Sequence, residues 1–286
     1  MYRFLLSRQW VVLTLIALIL IPSMIWLGFW QLHRHEQRVA RNDLIGASLS
    51  APVVPVDELT AVGGEPADGD RYRRVTAEGT YDTDHQVVVR NRSSNDESIG
   101  YWVLTPLLRD DGTAVLVNRG WISSGDDPTA VPDVPAPPDG EVTVTGRLMP
   151  DETTGNTGIR ERSGLPDGMV MMINSEERSA AMDGVPTLGG YLALTETSPA
   201  PADAAAQPEL LKDPDHTSIG SHLAYAIQWW LFTAGVPVGW VILFRREIAD
   251  QRAAAGKAAK KAAGAAGTPD AGPVAGKSTA GAGVTP

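Results

Sequence analysis

Cysteine is absent from the 286 residues. That removes disulfides, thiolate metal sites and cysteine nucleophiles from consideration. Histidine is scarce, with five in the chain, and only His85 and His216 lie well inside the polar middle. There is no Gly-x-Ser-x-Gly elbow, no phosphate-binding loop and no dinucleotide fingerprint. Carboxylate pairs occur at Asp110-Asp111, Asp126-Asp127 and Glu176-Glu177, but each sits among turn residues and reads as a solvated loop. Without a convergent acid, base and nucleophile, the chain reads as a non-enzyme. Positive charge is sparse in the middle: from Asn42 to Gly220, 30 Asp/Glu stand against 12 Lys/Arg, a net of −18. Such an acidic stretch excludes nucleic acid as a partner, because that needs a basic face.

Two further stretches lack charge altogether. Trp10 to Leu32 is 23 residues without Asp, Glu, Lys or Arg, and Leu223 to Phe244 is 22. About 20 apolar residues cross the hydrocarbon core as a helix, so both runs suffice. Pro22 and Pro237 kink such helices without preventing insertion. The first run is too long for a signal-peptide core and no small-x-small cleavage site follows, so it reads as an uncleaved anchor. Trp229, Trp230, Trp240 and Phe244 mark the ends of the second run as interfacial belts. Arg245, Arg246, Arg252, Lys257, Lys260 and Lys261 follow it directly. The positive-inside rule then places both termini in the cytoplasm and the middle outside. The expected layout is a cytoplasmic N-terminus over 1–9, spans over 10–32 and 223–244, an extracytoplasmic β-rich domain with its linker over 33–222, and a disordered cytoplasmic tail over 245–286.

Within the middle, Val39 to Leu49 continues the first helix and Asp57 to Val62 forms a short turn. Period-2 runs follow at Tyr72–Tyr81, Gln86–Asn91, Gly100–Leu108, Ala114–Ile122, Glu141–Leu148, Gly168–Asn174 and Tyr191–Glu196. Asp110-Asp111-Gly112 suits a hairpin turn. Ser123 to Gly140, with five prolines, is a long loop. The fold class is α+β: two transmembrane helices flanking an antiparallel β-barrel or sandwich-like domain. Thr197 to Ser218 and Ala253 to Pro286 read as linking or disordered stretches. Met169, Met171 and Met172 invite a copper site, but without nearby His or Cys they read as core packing.

The outer ends of the spans carry polar and aromatic groups together. Gly28-Phe29-Trp30-Gln31-Leu32-His33-Arg34 closes the first, and His222-Leu223-Ala224-Tyr225-Ala226-Ile227-Gln228-Trp229-Trp230 opens the second. At equal depth the two segments meet as a helix pair. His222, Tyr225 or Ala226, Trp229 and Thr233 then share a face. Histidine and glutamine at a membrane edge are costly unless paired or functional. Interfacial anchoring with hydrogen bonds between helices is the structural explanation, and ligand binding the functional one.

These residues resemble a known family. Gly28-x-Trp30-Gln31-x-x-Arg34, Tyr72-Arg73-Arg74-Val75 with Gly79-Thr80-Tyr81, Gly100-Tyr101-x-Val103-x-Thr105-Pro106, Val115-Leu116-Val117-Asn118-Arg119-Gly120-Trp121-Ile122 and His222-Leu223-x-Tyr225-Ala226-x-Gln228-Trp229 are similar, in order, to the Surf-one family of cytochrome c oxidase assembly factors. Where that family often has Asn, two residues before the histidine, this chain has Gly220. The resemblance implies a non-enzymatic factor in a bacterial plasma membrane, assisting heme a insertion into the catalytic oxidase subunit or staying on as a subunit of the respiratory complex. It implies heme a held transiently, with His222 as axial ligand, Tyr225, Trp229 and Trp30 as flat walls, and Arg34 at the propionates. Gly28, Gln31, Arg73, Arg74, Asn118, Arg119 and Gln228 carry over as motif positions for oxidase contact or for packing, with a tight turn read after Asn118-Arg119-Gly120. The alternative is a membrane-anchored extracytoplasmic binding or sensor module.

Overall fold

The computed structural model describes residues 3–125 and 130–266. Two compact units make up the chain: residues 1–33 with 221–286, and residues 34–220. Helix α1 spans Arg8–Ser50 and α4 spans His222–Ala266. Among the described residues these two are long and apolar enough to cross a membrane. Each keeps its proline, Pro22 and Pro237, inside the helix.

The first unit is an antiparallel pair of helix segments joined at both ends by aromatic contacts. Toward the chain termini, Trp10 meets Trp240 edge-on at 5.8 Å and Phe244 at 6.2 Å, while Trp240 and Phe244 stack at 5.3 Å. The Trp240 indole also donates to Thr14 Oγ1 at 3.3 Å. At the opposite end Phe29 meets Trp230 edge-on at 5.8 Å. Twenty residues separate Trp10 from Trp30, about 30 Å along a helix, which is the thickness of a hydrocarbon core.

Helix α4 runs on to Ala266, so Ala253 to Ala266 is helical where composition argued for disorder. Alanine and lysine are strong helix formers, and a helix already nucleated extends cheaply. Residues 267–286 lie outside the described residues, as do Asp126 and Asp127.

The second unit is built on an eight-stranded mixed sheet. Its strands are β1 (Val54–Pro55), β2 (Arg74–Tyr81), β3 (Val87–Ser93), β4 (Ile99–Leu108), β5 (Ala114–Ser123), β6 (Glu141–Met149), β7 (Met169–Val170) and β8 (Thr187–Ser198). They are ordered β1-β2-β6-β8-β5-β4-β3-β7, and β2 also pairs with β4 through Thr80↔Leu108 and Tyr81↔Leu107. The expectation of an antiparallel domain is corrected: β1–β2, β3–β7 and β5–β8 are parallel. The long chain between β5 and β8 supplies the crossover that a parallel pair needs.

Alternation sorts the side chains. Val115 and Val117 of β5 enter the largest core cluster with Val75, Val144, Leu107 and Leu192, so β2, β6, β4 and β8 all contribute to it. Leu116 points the other way, into a cluster with Val89, Leu104, Ile173 and Tyr191. Central strand β5 is thus covered on both faces. The expected strand at Gly168–Asn174 shortens to Met169–Val170. Met169 and Met172 are buried, as core packing requires. Two short helices flank β7, α2 (Thr154–Thr157) before it and α3 (Ser175–Ala181) after it. Glu176 and Glu177 lie in the first turn of α3 rather than in a loop. Asn174 caps that helix by accepting from the Glu177 N–H at 3.0 Å, and the helix dipole favours acids there.

Candidate functional site

The membrane-edge residues of the first unit form a compact cluster. His222 opens α4, and its Nδ1 lies 2.9 Å from Gln31 Oε1 on α1. A side-chain amide oxygen only accepts, so the imidazole donates from Nδ1, and the tautomer this bond selects carries its lone pair on Nε2. One turn deeper Gly28 faces Trp230, and a Cβ at position 28 would stand 2.3 Å from Trp230 Nε1. Glycine is what allows the indole to cross α1 there. Ala226 is fully buried, whereas Tyr225 is 47% exposed. The face toward α1 therefore runs His222, Ala226 and Trp230, and Tyr225 turns outward. Trp229 is half-buried; Trp30 and Gln228 are exposed. Gly220 takes a left-handed conformation just before α4. The hydrogen bond to the imidazole comes from Gln31.

Arg34 falls in the other unit and is exposed. Arg73, Arg74, Asn118 and Arg119 belong to that unit too, the last two buried, so the motif positions divide into two groups. Arg73 precedes β2 and approaches Asp70 at 3.6 Å. Arg74 begins β2 and pairs with Arg147 of β6. Asn118 and Arg119 lie inside β5 as expected, but no tight turn follows Gly120, because the strand runs on to Ser123. Leu104 pairs with Asn118 while Val103 pairs with Gly120, so Arg119 is the extra residue of a β-bulge. Gly120, at φ +129°, completes the bulge and donates its N–H to Asn118 Oδ1 at 3.1 Å. A Cβ there would meet the Glu209 carbonyl oxygen at 2.4 Å.

The bulge sends Arg119 into a buried polar cluster. Its guanidinium donates to Gln86 Oε1 at 3.0 Å, to the Pro135 carbonyl at 2.7 Å and to Gln207 Oε1 at 2.7 Å. Gln86 Oε1 also accepts from Thr105 Oγ1 at 2.9 Å. The Tyr81 ring lies 5.8 Å from the guanidinium, and its buried hydroxyl sits beside Thr197 without a hydrogen bond of ordinary geometry. Burial raises the Tyr81 pKa, against smaller lowering by Thr197 and Arg119. Burial likewise lowers that of Arg119. Gln86, Gln207 and Tyr81 carried no signal in the sequence that would have joined them to Arg119.

The stretch after β8 is bonded into the domain, contrary to the disordered linker expected. Glu209 and Trp121 exchange backbone hydrogen bonds of 2.8 Å in both directions. Arg147 donates to the Leu211 carbonyl at 2.8 Å and to Asp213 Oδ1. Asn95 donates to the Leu210 carbonyl at 2.9 Å and accepts from the Lys212 N–H at 3.0 Å. Arg147 donors and the Asn95 amide thus hold this segment along the domain. A second buried cation, Arg92, is clamped by Glu152 at 3.0 and 2.5 Å. It also lies 4.7 Å from the Trp102 ring centroid.

No group of three or more His, Cys, Asp or Glu side chains suited to a metal ion occurs among the described residues. A heme would need only one axial side chain, and His222 with a free Nε2 fits that role.

A family model described as the SURF1 family matches residues 18–234. An uncharacterised SURF1-like protein of Mycobacterium tuberculosis is 33% identical over 242 residues, covering 82% of this chain and 83% of its own. A SURF1-like protein of Rickettsia bellii is 28% identical over 119 residues, or 41% and 44% of the two chains. The cytochrome oxidase assembly protein SHY1 of Saccharomyces cerevisiae is 30% identical over 99 residues, or 34% and 25%. The matched residues take in both halves of the helix pair and the whole sheet domain, and this chain belongs to the SURF1 family.

Proposed function

We propose that this protein is a biogenesis factor for a heme-copper cytochrome c oxidase, anchored in the plasma membrane by α1 and α4. Both termini are then cytoplasmic and the sheet domain is outside. The observation that carries the reading is the Gln31–His222 pair at 2.9 Å, placed at the end of two apolar helices in a family with a named oxidase assembly protein among this chain's relatives. Such a factor works by contact rather than by turnover.

The helix pair has two tasks on this reading. Its outward faces dock laterally against helices of the oxidase, where close packing stands in for the hydrophobic effect. Its outer edge holds heme a in transit. Gln31 fixes the imidazole tautomer so that Nε2 faces outward as a ligand. Tyr225 and Trp30, both exposed, lend aromatic surface beside it. When bound, the heme supplies an iron that accepts one axial nitrogen.

The test is a mild-detergent purification of the tagged full-length protein from its own membranes, read by optical spectrum and mass spectrometry. Oxidase subunits should co-purify, and heme a absorbance should fall in His222→Ala. Oxidase at stoichiometric yield after assembly is complete would make the protein a resident subunit. Oxidase contact with unchanged heme in His222→Ala would remove the ligand role and leave the docking role. Neither oxidase nor heme, under conditions of oxidase synthesis, would overturn the reading.

A further inference from the structure

Arg119 is 2% exposed, yet its acceptors are two amide side chains and a backbone carbonyl. Among the described residues no carboxylate pairs with it. Buried charges are ordinarily matched by opposite ones, because a cation facing neutral partners retains much of its desolvation cost. The other buried arginines here follow that rule: Arg92 has Glu152 and Arg147 has Asp213. Arg119 is the exception, and it lines a pocket of about 260 Å³. Leu194, Pro201 and Leu210 give that pocket apolar walls, and Thr197 and Gln207 add polar groups. Two more buried donors stand close by without partners, the Tyr81 hydroxyl and Asn118 Nδ2.

The surroundings are built rather than incidental. A β-bulge turns Arg119 out of the ladder, and bulges recur where a side chain is re-aimed at a site. The segment bearing Gln207 is fixed on its far side by the Glu209–Trp121 bonds. Gln207 itself is tied by donating to the Ala136 carbonyl at 3.0 Å. Its amide oxygen therefore sits where an anionic oxygen would be expected.

We propose that this pocket binds a carboxylate on a short apolar stem, with the Arg119 guanidinium as counter-charge and Gln207 as the group it displaces. The stem lies against Leu194, Pro201 and Leu210. Exposed Glu196 on the lining is screened by solvent and weakens binding without preventing it. The carboxylate belongs either to a free small acid or to the C-terminus of a polypeptide. This site lies within the sheet domain and does not depend on the role of the helix pair.

The experiment uses the full-length protein in lipid nanodiscs and saturation-transfer NMR. Butyrate, butyramide, a short Ala/Pro peptide with a free C-terminus and its amidated form are the probes. Butyrate should bind saturably and butyramide should not. Arg119→Gln should weaken butyrate about tenfold or more, the loss of one charge-assisted bond. Ala204→Phe fills the pocket from an exposed position and should abolish binding with the melting temperature unchanged. It keeps the test decisive should Arg119→Gln misfold. A free-acid peptide that binds more tightly than butyrate, with the amidated form silent, assigns the site to a chain end. Butyrate binding without peptide binding assigns it to a small acid. Equal binding of butyrate and butyramide, no binding by any acid, or butyrate binding untouched by Ala204→Phe overturns the proposal.

Discussion

Gly28 and Trp230 occupy the same space on opposite helices: a single methyl at position 28 would sit 2.3 Å from the indole nitrogen and 2.7 Å from Cδ1. Gly28→Ala should therefore push the helices apart at their outer end. Because the chain has no cysteine, the separation can be read without background from Gln31→Cys/His222→Cys, whose side chains meet at that end. Bismaleimide cross-linking of that pair should fall in Gly28→Ala and recover when Trp230→Ala is added.

Gln31→Leu removes the acceptor from His222 Nδ1. The two neutral tautomers should then approach their solution populations, visible in the histidine ¹⁵N shifts of the full-length protein. Gln31→Glu retains an acceptor and should keep the proton on Nδ1. Identical spectra for the Leu variant and the parent would show that Gln31 does not orient the ring.

Glu152→Gln leaves Arg92 buried against a neutral partner. Breaking a buried pair from one side costs about 3–5 kcal/mol, which lowers the melting temperature by on the order of 10 °C in a domain of this size. Arg92→Met/Glu152→Met removes both charges and should recover most of the loss. Similar melting temperatures for the single and double variants would contradict this.

Burial raises the Tyr191 pKa above the ordinary phenol value, with the nearby Glu152 charge adding to it. A phenol whose folded pKa exceeds its unfolded one stabilises the fold fully below the unfolded value, near 10, and loses that contribution as pH climbs toward the folded one. Stability should thus fall progressively above about pH 10. Replacing Tyr191 with Phe should flatten the decline, measured as melting temperature against pH.

The elements that were legible in the sequence are those whose signal is local. The spans announce themselves by 23 and 22 uncharged residues, and β2, β4, β5 and β6 by alternating Val, Thr and Leu. The helix ending the chain's described part was hidden by low complexity, although its alanines favour helix. Helix α3 was legible in principle, since Asn174 precedes Ser-Glu-Glu, a cap followed by acids. Strand direction was not, because β5 and β8 are brought side by side by topology. That the segments holding Gln31 and His222 meet followed from equal depth in a membrane; that these two side chains, 191 positions apart, bond to each other did not. The pairing of Arg119 with Gln86 and Gln207 had no such ruler.

The bulge at Arg119 also separates what the sheet requires from what it carries. Trp102 pairs with Trp121 and Thr105 with Val117, and neither match counts Arg119. Excising that one residue would leave every other rung in place and every other side chain on its own face. Deleting either neighbour beyond Asn118 or Gly120 would instead shift a run of partners. A strand that could be shortened without losing a rung, and is not, keeps its additional residue for what that side chain reaches off the ladder: Gln86, the Pro135 carbonyl and Gln207.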